Sequence, residues 1–239
     1  MTATAPPMQP FNELPALSAQ LEAELAELQP RGPRRPWLQW CVAMLGCITY
    51  SIVIVAVLGL RRDWVELPTA WQLGAGAMWL AGLAVPLWLL MVPASDNVMG
   101  RWRAAVAVAV GASVVLVLLN SMVHPAGPSS FSLSTTPLRG HACMEVSVGI
   151  AVLPTMIFGF LLRGVYPVGG RAVAVVVGAA TGSLAGLCMH LHCRVADSLH
   201  VVLFHCGAIL VSSVLAWYLA PIMLDLPWNF RRHQASPSA

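Results

Sequence analysis

Six cysteines and seven histidines stand among the 239 residues, and they are unevenly placed. His141 and Cys143 form one group, His190, His192 and Cys193 a second within "CMHLHC", and His200, His205 and Cys206 a third. Thiolate and imidazole together bind zinc or copper with a softness that oxygen ligands lack, so a Zn or Cu ion is the cofactor these residues suit. Cys143 and Cys193 equally suit a disulfide in an oxidising compartment. Glu145 is close enough in sequence to act as a further ligand or an outer partner. His200 and His205 are five apart, which is poor α-helical spacing for a single ion. The sequence holds no Ser-His-Asp set, no phosphate loop and no carboxylate pair in its apolar stretches, so an enzyme is not expected.

These residues need elements to position them, and the composition says which. The chain is 58% hydrophobic and 10% charged, with a mean hydropathy of +0.74. A soluble domain carries roughly a quarter charged residues, so a water-facing surface could not be covered here. Six apolar stretches of about 20 residues, the length that crosses a bilayer, fall at 37–60, 67–92, 104–123, 143–162, 172–192 and 199–222. The expected fold is therefore all-α, an integral membrane bundle of six transmembrane helices. Pro86 and Pro154 sit inside spans, where neighbouring helices can satisfy the freed backbone groups. Gly178, Gly182 and Gly186 share one face of span five. Packing inside the bundle is the expectation for that face, with a dimerisation seam as the alternative.

All thirteen basic residues are arginine. With the N-terminus inside, nine of them are cytoplasmic and four (Arg61, Arg62, Arg139 and Arg194) are outside, so the expected topology is N-in/C-in. That orientation gathers His124, His141, Cys143, Cys188, His190, His192, Cys193, His200, His205 and Cys206 toward the non-cytoplasmic face. Polar decoration at the headgroups would explain any one of them. It explains the cluster less well, because ionisable groups in membrane spans are costly. The domain reading is a cytoplasmic N-terminal tail at 1–36, a transmembrane domain at 37–222 and a cytoplasmic tail at 223–239.

The N-terminal tail carries Leu14, Leu17, Leu21, Leu25 and Leu28 at three- and four-residue steps, an apolar stripe on a short amphipathic helix, with Glu22, Glu24 and Glu27 on its polar side. Pro30, Pro33 and Pro36 end it. A helix this short is marginal alone in water, so it is expected to dock, either on the chain's own cytoplasmic loops or on a basic partner.

Cys143 at the opening of span four, the His192-Cys193 pair closing span five, and the run 161–186 with Arg163, Pro167 and its glycines resemble the NrsF family. These are membrane-embedded negative regulators of extracytoplasmic-function (ECF) sigma factors. Trp217-Tyr218 lies later in span six than the corresponding pair of many members, whose place here holds His205-Cys206. The resemblance implies a membrane-bound anti-sigma factor of the bacterial inner (cytoplasmic) membrane. Its tail would sequester an ECF sigma factor, without direct contact to nucleic acid, and release it on a periplasmic metal or redox signal at Cys143 and Cys193. The competing readings are a metal-handling or transport protein and a haem or redox protein using the same His/Cys cluster.

Overall fold

The computed structural model describes residues 35–92, 98–122, 140–162, 170–195 and 197–224. The chain divides into two units, Met1–Arg35 and Pro36–Ala239, and the described helices all belong to the second. The expected tail helix, with Leu14, Leu17, Leu21, Leu25, Leu28, Glu22, Glu24 and Glu27, lies outside the described residues, as does His124.

Every regular element among the described residues is helical. The helices are α1 (Pro36–Leu58), α2 (Thr69–Met91), α3 (Val98–Met122), α4 (His141–Leu161) and α5 (Gly170–His192). A sixth helix, α6, is built of a turn at Ser198–His200, a π-helical stretch at Val201–Cys206 and a regular stretch at Gly207–Leu224. Five of the six are long and apolar enough to cross a membrane. In α3 the described apolar stretch is shorter, at Arg103–Leu118. Large apolar side chains such as Val57, Leu210, Phe160 and Ile222 face outward and exposed. An outward surface of that kind suits lipid rather than water, and this is a membrane protein.

The helix α5 is the central post. Of its apolar stretch, 89% is buried inside the bundle, against 17% for α1. Small residues make this possible, because helices in lipid gain stability by close van der Waals approach rather than by expelling water. A Cβ at Gly178 would lie 2.5 Å from the Ser212 carbonyl oxygen and 2.7 Å from Ser213 Cα of α6, and one at Gly182 would lie 2.7 Å from Ile209 Cα. A Cβ at Gly186 would strike the Trp79 ring of α2. The glycine face is thus packed inside the chain, as expected, and is not free to form a dimer seam. Some polar groups at this depth pair between helices, while Trp79 Nε1 and Ser212 Oγ are buried without a hydrogen-bond partner. The Thr155 and Thr181 hydroxyls lie 2.6 Å apart across α4 and α5; one donates to the other, and the hydroxyl that accepts donates to a carbonyl of its own helix. Pro86, Pro154 and Pro221 all lie inside helices.

Gly178→Ala should cost about 1–3 kcal/mol, the usual penalty for overpacking, because the atoms it meets are backbone. Gly149→Ala, whose Cβ meets nothing within 4 Å, should be neutral or stabilising. Thermal unfolding of the two variants in detergent checks the contrast, and equal midpoints would contradict it.

Candidate metal centre

The ends of three helices converge on one corner of the bundle. Cys143 lies in the first turn of α4, half-buried, and Cys193 follows the last residue of α5, buried. His200 and His205 come from the opening of α6, each 2% exposed. The Cys143 and Cys193 sulfurs are 3.9 Å apart, and Cys193 Sγ is 3.5 Å from His200 Nε2. All four ligand atoms lie within 4.8 Å of one another. Both cysteines are free thiols. Around a tetrahedral zinc ion, bonds of about 2.3 Å to sulfur and about 2.0–2.1 Å to nitrogen imply edges of about 3.8 Å between sulfurs and about 3.6 Å between sulfur and nitrogen. Those two separations fall within a few tenths of an ångström of those edges, while the whole set spans up to 4.8 Å, so an ion would draw the four groups inward.

His205 Nε2 supplies an independent reason to think of a cation. It is buried and has no hydrogen-bond partner. A buried polar atom without a partner costs free energy, and a ligated ion would satisfy it. The shared contact favours the thiolate on Cys193, helped by His200 and His205 against burial, and the neutral thiol on Cys143. Metal binding requires that deprotonated form.

The π-helical stretch resolves the spacing of the two histidines. On a regular α-helix, residues five apart point about 140° away from each other. The i→i+5 pattern widens the turn so that such residues stack, and the Gly207 N–H accordingly donates to the Val202 carbonyl. The His200 and His205 rings come to 5.3 Å between centroids, edge to face. Phe204 steadies them. Its ring lies 5.1 Å from that of His200 and fills the space over Gly140, where any Cβ would collide with it. This contact seats the start of α4, and hence Cys143, on the π-helical turn.

The other sequence candidates lie elsewhere. His141 and Glu145 are exposed on α4. His190 is buried beneath Trp71, with ring centroids 4.5 Å apart. His192 Nδ1 lies 2.8 Å from the Gly59 carbonyl oxygen. Cys206 is buried in the main apolar core. None of these belongs to the four-residue group.

Sequence reasoning treated Arg61 only as a marker of topology, yet it is 3% exposed and lies beside this corner. Its Nε and Nη2 donate to the Asp63 carboxylate at 2.8 and 2.7 Å. Nη2 also donates to the Arg194 carbonyl at 3.2 Å, and the guanidinium lies 5.7 Å from the Trp71 ring centroid. The Arg-Arg-Asp run after an apolar span was the available signal. A charge two residues from its opposite can pair locally and need not face water.

With this geometry described, comparison with known proteins decides the family. A model described as "Negative regulator of sigma F", NrsF, matches residues 23–226. The chain belongs to the NrsF family. The match takes in the first three helices and the last leucines of the N-terminal stripe as well as the half that carries the quoted motifs. No curated protein and no solved structure matches the chain. As an NrsF member the protein is a negative regulator of a sigma factor, and a sigma factor is its partner.

The Arg61 hydrogen bonds hold the Asp63 carboxyl below its ordinary range. A depressed folded-state value stabilises the protein above the unfolded carboxyl value and loses that contribution as pH falls through the folded one. The wild-type bundle should therefore lose stability below about pH 4 more steeply than Asp63→Asn does. Urea unfolding across pH 3–7 reads the difference, and parallel curves would count against the pair.

Proposed function

We propose that this NrsF-family protein is a six-span, N-in/C-in anti-sigma factor of the bacterial inner membrane. Its N-terminal segment sequesters an ECF-type sigma factor, and a soft metal ion bound by Cys143, Cys193, His200 and His205 at the periplasmic end releases it. Family membership supports the sigma partner. The single observation that carries the signal is the set of four donors within 4.8 Å, one of them a buried nitrogen without a partner. The arginine bias supports the orientation, which puts this corner and the N-terminal segment on opposite sides of the bilayer. The leucine stripe, with its glutamates, is the surface that would hold the sigma factor.

The four ligands come from three helix ends, so binding an ion draws α4, α5 and α6 toward one point. A regulator of this kind needs a differential free energy of about 1–3 kcal/mol between its holding and releasing states, which a metal site readily exceeds. Two reduced sulfurs 3.9 Å apart also favour a second trigger. An oxidant that takes two electrons and two protons from the pair would leave a disulfide of about 2.05 Å and pull α4 and the end of α5 together.

Membranes containing the full-length chain should retain the sigma factor, and Leu17→Glu with Leu21→Glu should abolish retention. Cadmium or zinc should release it. Cys143→Ser, Cys193→Ser and His205→Ala should each weaken that response by more than the about 10–100-fold typical of losing an outer-shell partner. Unaltered release in all three variants would remove the site from the signal.

A further inference from the structure

The lower corner contacts of α1 converge on the residues that flank Cys193. Gly59 has φ +87°, a left-handed conformation that glycine adopts without strain and that turns the chain sharply off the helix. Its carbonyl meets His192 Nδ1 at 2.8 Å. The Arg61 N–H donates to the Leu191 carbonyl at 2.9 Å, and the Arg61 guanidinium donates to the Arg194 carbonyl at 3.2 Å while clamped by Asp63. Leu191, His192 and Arg194 bracket Cys193. A displacement of Cys193 toward a bound ion is therefore a displacement of the anchor of α1.

Elsewhere α1 is lightly held. Its side chains reach the rest of the bundle through Tyr50 Oη donating to the Ile150 carbonyl at 3.0 Å, Trp40 Nε1 donating to the Ala84 carbonyl at 3.4 Å, the Trp40–Trp88 ring contact at 4.9 Å and Ser51 hydrogen-bonded to Cys188. Apolar grooves open on both its flanks. One of about 460 Å³ separates it from α4 near Val42 and Leu153. Another, of about 620 Å³, separates it from α2 and α5 near Ile52, Leu80 and Leu187. Movement of α1 there would displace lipid chains rather than close-packed side chains, unlike movement of the tightly held α5. The helix is about 35 Å long, and the N-terminal segment continues from its first residue.

We propose that α1 is the lever that carries occupancy of the Cys/His corner to the N-terminal segment, and that Arg61, clamped by Asp63, is the positioning residue that couples it. The proposal rests on the metal reading of that corner and adds the route by which the signal leaves it. Arg61 ligates nothing. It acts by tying the chain around Cys193 to the end of α1.

Cys41, half-buried near the start of α1, is a native reporter for the test. Full-length protein in lipid nanodiscs is alkylated with N-ethylmaleimide, with and without zinc, and each cysteine is followed by mass spectrometry. In the wild type, zinc should protect Cys143 and Cys193 and change the Cys41 rate about fivefold or more. In Arg61→Met, protection of Cys143 and Cys193 should remain while the Cys41 response falls at least several-fold, the Gly59 and Arg61 backbone ties being left in place. Asp63→Asn, which leaves the Arg61 bond to Arg194 in place, should weaken that response and serves if Arg61→Met does not fold. A Cys41 response preserved in the variants, or absent from a wild type whose site cysteines are protected, would overturn the lever and leave the metal site standing. Failure of zinc to protect Cys143 and Cys193 in the wild type would overturn both.

Discussion

In a bilayer, helices gain little by hiding apolar side chains from one another, because lipid is equally apolar. What remains is contact, and contact requires backbones that can come close. The face of α5 carrying Gly178, Gly182 and Gly186 provides it, with α6 lying directly on the first two and the Trp79 ring of α2 on the third. The burial of α5 follows from this, and so does the position of its last turn. Cys193 is placed where it is because α5 is fixed along its length before it reaches the corner.

The same close packing leaves α6 little freedom at its start, and the π-helical turn takes up the mismatch. Without it, His205 would point away from His200 and from both cysteines. With it, two histidines whose spacing is unsuitable on a regular helix present their rings to one point. Such turns recur at functional sites because they reorient a side chain without ending the helix. Here the departure from regularity coincides with the buried, unpartnered nitrogen of His205. Phe204 links the turn to Gly140 at the start of α4, so the distortion in one helix also positions Cys143 on another.

The contrast between α5 and α1 gives the bundle a fixed part and a yielding part. The first carries a cysteine to the corner. The second runs back from the corner through the bundle, and its end is tied to the first by Gly59 and Arg61. Burying an arginine is expensive unless its charge and donors are matched, and a carboxylate, a carbonyl and an aromatic face together meet that requirement. An arginine placed only to mark membrane orientation would not need those partners.

The membrane character, the approximate helix ends, the glycine packing face and the membership suggested by Cys143 and His192-Cys193 were all legible in the sequence. Each depends on local composition or on periodicity along one helix, which need no knowledge of neighbours. The sequence also picked out Cys143 and Cys193 as a pair, which the structure brings to 3.9 Å, but it offered the histidines only as a population. Choosing Cys143, Cys193, His200 and His205 over His190, His192 and Cys206 takes the rotation of each helix about its axis and the local hydrogen-bond pattern of α6. Arg61 was hidden for the same reason, since its partners Arg194 and Trp71 are remote in sequence. Sequence fixes which side chains are available. Only helix-on-helix packing decides which of them share a few ångströms of space.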